Sequence, residues 1–553
     1  MSKRRALVGL ALLAACGWLA ACTKAGTGTV AGSSGENQWT RHGVLRWATN
    51  ADPKSLDPVI ASSAVTGDLS MFIFSYAVRY DEHARPVPDA LSEIPTVENG
   101  DVSKDGLTLR YKLRRNIKWH DGEPLTCKDL RFTWQVVMNP HNNVVTTDGY
   151  KDIKEIDCTD PYVAVVRMKR VYAPFLQQLW GVNGNAAILP EHLLAAVNDD
   201  RGSFNTAPYQ SKPIGSGPFK VVEWQRGNQV RMVANPDFYL GRPKLDEVIF
   251  KVMPDSNTAI TQLRTHEIDM IVHGSPALWS QYRAIPGVVA EADPLYTYSH
   301  IDFNLRRPLF QDVQLRRALA YATDRKSMLE KLAHGLGDLA PADQSPRLSW
   351  AYTPDVPTYP YDPEKARALL DADGWKPGPD GIRVKNGVRL SFAYSTQTES
   401  SLGKAIQQYV QDAWRNVGAE VTIKNAETAL FFENGKDGTL QGGHYDVASF
   451  SWTAAADPDD SAIYSADNFA PRGQNALFWD DPIATRAMND ALQTVDVARR
   501  KADYKIVQQR LADQVPTIVL WFSHEPEIYN KDLKGFTSSP VISNFWNPWE
   551  YSI

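Results

Sequence analysis

Ile117-Lys118-Trp119-His120-Asp121-Gly122-Glu123-Pro124-Leu125-Thr126-Cys127-Lys128-Asp129-Leu130 is the stretch from which the chain is best entered. Trp119-His120-Asp121-Gly122 reads as a structural turn rather than a functional centre. Thr126 is a natural N-cap for a helix carrying Leu130, Phe132, Trp134 and Val137. Upstream, Lys104-Asp105-Gly106 is a hairpin turn signal, and Leu107 to Leu113 alternates as a half-buried strand. Further back, Val44 to Ala48 is an apolar strand, followed by two Asp-Pro steps, Asp52-Pro53 and Asp57-Pro58, that hold extended backbone. Residues 66–80 read as a helix running into a strand. Downstream, Gly215-Ser216-Gly217-Pro218 is a tight turn before a strand from Phe219 to Trp224. Asp312 caps a helix with Leu315, Leu319 and Ala322 on one face. Asp362 caps another, with Pro363 at its first position, Leu369 and Leu370 packing and Gly374 ending it. Helices and strands thus alternate along the chain.

The N-terminus has a different character. Lys3, Arg4 and Arg5 precede an uncharged apolar run from Ala6 to Ala21, the pattern of a secretory signal sequence. It ends on Leu19-Ala20-Ala21-Cys22, which resembles the lipobox of bacterial lipoproteins, where the cysteine sulfur is acylated. Leu13-Ala14-Ala15-Cys16-Gly17 also fits, but that choice leaves apolar Trp18 to Ala21 on the tether, so Cys22 is preferred. The rival reading, an uncleaved anchor, meets a run shorter than the ~20 residues a span needs. Thr23 to Gln38 is rich in Gly, Ser and Thr and reads as a flexible linker.

Loss of residues 1–21 removes three positive charges and takes the net charge from −5 to −8. This supports neither a nucleic-acid surface nor a polybasic membrane surface. A chain of 553 residues, 43% hydrophobic and 22% charged, is globular and needs two or more domains. Sixteen Trp and 22 Tyr supply core and also the rings that line ligand clefts. Of four cysteines, two lie in the leader; Cys127 and Cys158 remain. Outside the cytoplasm such a pair tends to oxidise, for a gain of roughly 3–4 kcal/mol in the chain-entropy model; two unrelated buried thiols are the alternative.

The ordered succession Ser55-Leu56-Asp57-Pro58, Asp105-Gly106, Lys118-Trp119-His120-Asp121-Gly122, Pro213-Ile-Gly-Ser-Gly-Pro-Phe-Lys220, Asn235-Pro236, Phe303-Asn304, Asp324-Arg325, Tyr361-Asp-Pro-Glu-Lys-Ala366, Tyr445-Asp446 and Ser451-Trp452-Thr453 resembles the family-five extracellular solute-binding proteins of ABC importers, the oligopeptide and dipeptide type. No piece is specific alone; their order over nearly the whole mature chain is. The resemblance implies an α/β, two-lobe periplasmic-binding-protein type II fold with an extra subdomain inserted in the first lobe. Carried over, residues 1–21 are the signal peptide and 22–40 the tether. Lobe one is 41–70, 205–295 and 524–553, the inserted subdomain 71–204, and lobe two 296–523. The chain leaves lobe one once and returns near Trp521-Phe522, so two crossing segments make a hinge that closes on a ligand.

Tyr445 to Asp460 is the stretch where a ligand is expected. Val447 to Trp452 is an apolar strand that breaks into small residues and then an acidic turn, Asp457-Pro458-Asp459-Asp460. Ligands bind beyond the carboxyl ends of strands in open α/β sheets. Peptide-binding members carry an Asp three residues after this Trp, which holds the peptide's α-ammonium; here that residue is Ala455. Either Asp457 or Asp459 replaces it, or the ligand presents no ammonium there. Trp452 and Thr453 at the strand end, Tyr298 at the crossing, Tyr150 in the inserted subdomain and Asn475 beyond the acidic loop complete the expected contacts.

Enzymatic signatures are weak. Ser401-Leu-Gly-Lys404 fits S-x-x-K without its companion motifs. Gly335-Leu-Gly337 follows a helical pattern, not a strand. Eleven His show no metal-ligand spacing. The expectation is a monomeric, non-catalytic receptor without cofactor or metal, held on the extracytoplasmic face of a membrane by its lipid alone. It passes a peptide or similar small polar solute to permease subunits and contacts no nucleic acid. A sensory receptor on the same fold, or a Ser401/Lys404 surface hydrolase, are the competing readings.

Overall fold

The computed structural model describes residues 35–182, 186–541 and 544–553. The leader, Cys16 and the lipidation candidate Cys22 lie outside the described residues. The bonded chain begins earlier than the expected tether end at residue 40. The Asn37 side chain donates to the Gly287 carbonyl at 2.7 Å, Thr40 donates to Asp532 at 2.5 Å, and Trp39 stacks on His266 at 4.2 Å.

One continuous mixed sheet organises the molecule. Glu420–Ile423, Ser391–Ser395 and Val447–Thr453 form one end. Met270–Ile271, Val44–Thr49, Glu247–Val252, Gln229–Ala234 and Phe219–Gln225 form the other. Between them run two long strands, Val288–Phe303 outbound and Thr517–Asn530 on the return. They pair antiparallel from Val288 opposite Asn530 to Asp302 opposite Thr517. Midway the register breaks. From Pro294 to Tyr298 the outbound strand advances four residues, while its partner advances two, from His524 to Phe522. Extra residues of this kind bend and twist a strand pair locally.

Packing divides the molecule in the same way. Leu45, Trp47, Phe72, Leu109, Tyr111, Leu130, Trp180 and Phe545 belong to one apolar core, so residues 71–204 share their interior with the N- and C-terminal segments. Phe303, Phe310, Leu315, Leu319, Leu370, Phe392 and Trp414 belong to another. Helix Ala64–Ile73 is buried on nearly every face, and it is apolar enough to be so. A Cβ on Gly215 would meet the Ile73 carbonyl oxygen at 1.9 Å, so the glycine lets the turn close onto the helix end.

Local expectations hold where a cap or turn fixes them. Asp129 accepts the Thr126 N–H at 2.8 Å and opens helix Cys127–Met138. Asp312 caps Val313–Tyr321, and Asp362 caps Pro363–Ala372 with Gly374 at φ +90° beyond its end. Cys127 and Cys158 are joined, their Cα atoms 5.6 Å apart.

Candidate functional site

A cavity of about 1050 Å³ opens between the inserted region and the second half. Tyr80, Pro86, Phe175 and Gln177 line one wall; Trp350, Ala456 and Arg500 line the other. Arg85, Lys104 and Arg347 bring positive charge to it, and Glu98 and Asp105 negative. Hydrogen bonds between described residues join the walls. The Asp457 N–H donates to the Gln177 side-chain oxygen at 2.7 Å, and the Ala173 N–H donates to the Leu492 carbonyl at 3.2 Å.

The strand that delivers the acidic turn is Val447–Thr453, paired with the outbound strand so that Trp452 faces Tyr298 and Thr453 faces Thr297. Ala454 and Ala456 beyond it are buried, and their small side chains let the two walls approach. The turn's carboxylates then go to different partners. Asp457 takes Arg500 through two bonds, 2.8 and 2.6 Å, in a nearly buried pair. Arg500 also donates to the Ala491 carbonyl and lies 5.4 Å from the Trp350 ring centre. Burial works against its charge, and the Asp457 carboxylate more than offsets this, holding the guanidinium above its ordinary range. Breaking one partner of such a pair costs about 3–5 kcal/mol. Asp457, expected from sequence as a counter-charge for a ligand, is thus paired with Arg500 in this structure. Asp459 accepts the Ser461 N–H at 3.0 Å. Burial, with neighbouring Asp457, pushes its carboxyl up. Asp460 turns inward to Gln344, whose amide donates to it at 2.6 Å and to Asp343 at 3.0 Å.

Trp452 lines a second, smaller cavity of about 150 Å³, built wholly from the second half with His300, Phe450 and Tyr464. Three further expected contacts are placed in the interior. Tyr298 is fully buried, its hydroxyl 3.0 Å from that of Tyr464. Tyr150 is fully buried and accepts the Trp180 N–H at 2.5 Å. Asn475 is fully buried and donates to the carbonyls of Ser465 and Trp479 at 3.0 and 3.1 Å. Each spends its polar atoms on bonds within the fold in this structure. Thr453 is exposed, its hydroxyl 2.9 Å from that of Thr297. Ser401 and Lys404 stand exposed on the first turn of helix Ser401–Arg415, lining neither cavity.

Arg500, Trp350 and Gln177 escaped the sequence reading. Arg500 lies in the 18-residue helix Val497–Gln514, where an arginine in the first turn reads as solvated surface. Gln177 sits in a four-residue helical turn with no pattern to mark it. Trp350, after Arg347, carried only its aromatic character.

The family model described as bacterial extracellular solute-binding proteins, family 5 Middle, matches residues 85–473. The oligopeptide-binding protein AppA of Bacillus subtilis strain 168 is 27% identical over 532 residues, covering 95% of this chain and 94% of that protein. The solved structure of Bacillus subtilis AppA with a nonapeptide superposes with a TM-score of 0.73 at 26% identity, covering 92% of this chain and 98% of that one. NikZ from Campylobacter jejuni in complex with Ni(L-His) gives 0.76 at 26%, covering 93% and 100%.

Proposed function

Because the chain belongs to the bacterial extracellular solute-binding proteins of family 5, we propose that it is the receptor of an ABC importer, holding a peptide in the larger cavity and surrendering it unaltered to a permease. The observation that carries this is a cavity of about 1050 Å³ between two bodies joined through two paired strands. Pockets for drug-sized ligands run roughly 300–1,000 Å³. This one has room for a peptide of several residues, in keeping with the nonapeptide held by AppA.

Recognition rests on the peptide's main chain, with polar groups and water filling the side pockets. Ala455 offers no carboxylate, and Asp457 is committed to Arg500. The ligand's α-ammonium is therefore not captured at this turn. Thr453 and Asp459 stand at the strand end beside the larger cavity without lining it, and Trp452 faces the smaller one, so direct contacts come from lining residues such as Gln177, Trp350 and Ala456. Titration calorimetry with one peptide in free and N-acetylated forms tests this: the two bind within about threefold. A loss beyond tenfold on acetylation would mean that a carboxylate does hold the amine.

Native mass spectrometry of the protein purified from its own host identifies the cargo. An intact peptide supports the assignment, and a bound nickel chelate or a hydrolysed product ends it. The lobes run as 41–70, 205–295 and 524–553 for the first, 71–204 for its insert, and 296–523 for the second. Acylated Cys22 holds the monomer to the extracytoplasmic face of a membrane, each buried methylene adding about 0.8 kcal/mol. Cys22→Ser then moves the protein from the membrane to the soluble fraction.

A further inference from the structure

At the base of the return strand, beside the register break, His273, Glu525 and Glu527 bring a ring nitrogen and two carboxylate oxygens within 4.8 Å of one another. The residues come from separate parts of the chain: His273 follows strand Met270–Ile271, and the two glutamates alternate on Thr517–Asn530. Nδ1 of His273 lies 2.8 Å from Glu525, and Nε2 lies 2.7 Å from Asp68, whose side chain is fully buried. A metal entering between His273 and Glu525 would displace the proton on Nδ1, while the buried Asp68 carboxylate keeps the proton on Nε2 and fixes the ring; carboxylate–histidine–zinc triads are built this way.

Glu527 is the second, independent sign. It is fully buried. One oxygen accepts the Asn544 side-chain amide at 3.0 Å and the backbone N–H of His273 at 3.4 Å. The other is buried without a hydrogen-bond partner among the described residues. The charges acting on it most are those of Glu525, Asp293 and Asp68, all acidic, against His273 alone. To be ionised there, a buried carboxyl in acidic company needs a cation beside it.

We propose that His273, Glu525 and Glu527 form a divalent transition-metal site of the zinc type, with Asp68 positioning the imidazole from behind. One imidazole and two carboxylates suit a zinc-class ion, which accepts nitrogen and oxygen at about 2.0–2.2 Å and leaves a fourth position for water. Two carboxylates and a dication are neutral together, which removes the burden on Glu527. The ion would tie the return strand to the first half at its side of the pivot, leaving the bulge between Pro294 and Tyr298 to take up the motion. The sequence hid the set because its members lie some 250 residues apart.

The test uses the full mature chain, stripped with chelator and titrated with Zn²⁺ by calorimetry in the absence of peptide. One Zn²⁺ per chain is expected. His273→Gln and Glu527→Gln should each weaken it more than tenfold, and Asp68→Asn by about 10–100-fold. Because a change at buried Glu527 risks the fold, X-ray absorption on the zinc-loaded wild type gives a second reading: one imidazole in an otherwise oxygen shell. No stoichiometric uptake, uptake unchanged in His273→Gln, or a shell with several imidazoles would overturn the site. None of these readings involves peptide, so their failure leaves the receptor assignment standing.

Discussion

His120 shows what one residue of a structural turn contributes. Its Nδ1 accepts the Gly215 N–H at 3.1 Å, and its Nε2 faces the Gly217 carbonyl, also at 3.1 Å. Such partners require the neutral ring, one nitrogen accepting and the other donating. Burial reinforces this and pushes the pKa from 6.5 down to about 4, with the Gly217 carbonyl opposing the shift only in part. Between those values the unfolded chain binds a proton that the folded one refuses. Stability is therefore full above pH 6.5 and is lost as pH falls towards 4, by about 2–3 kcal/mol at 1.4 kcal/mol per pH unit. Denaturant unfolding of the wild type and His120→Gln at pH 7 and pH 4.5 should show the smaller acid loss in the variant. Equal losses would remove His120 from the account. The Asp121-Gly122 turn was legible in sequence; its anchoring on Gly215 and Gly217, nearly 100 residues away, was not.

At the scale of the element, the helix Cys127–Met138 is closed at its start by two devices. Asp129 receives the Thr126 N–H, and the Cys127 sulfur is tied to Cys158, beyond strand Ile153–Asp157. Replacing both cysteines by alanine frees a loop with a sequence separation of 31 and should cost about 3–4 kcal/mol. Thermal unfolding checks this, and an unchanged midpoint would show that the covalent tie adds nothing to the packing. Caps of this kind are readable from sequence because they are local: Asp312, Asp362 and Thr126 each stand within three residues of the N–H they serve or are served by. The strand Val447–Thr453 was equally readable. The destinations of the carboxylates that follow it were not, since Arg500 and Gln344 arrive from other elements.

At the scale of the whole molecule, the two halves meet through the long strand pair and, across the cavity, through Gln177 with Asp457 and Ala173 with Leu492. These cross-cavity bonds lie outside both cores, so their making and breaking need not disturb either. Small-angle scattering should show a larger radius of gyration in ligand-free protein than in the peptide-loaded form. Gln177→Ala should shift the loaded ensemble towards the open side and weaken peptide binding severalfold. A radius unchanged by saturating peptide would show that the pair of strands does not act as a hinge.

What the sequence determined by itself was everything set by short-range chemistry: the caps, the turns, the alternating strands and, through their order, the family and its α/β architecture. Tertiary structure alone decided which polar atoms remain available. Tyr150, Tyr298 and Asn475 were spent on the interior, Asp457 on Arg500, and His273 was brought to Glu525 and Glu527. A side chain's type states what it is able to bond; only the arrival of a distant partner fixes whether that capacity is already used, and such arrivals leave no periodic trace along the chain.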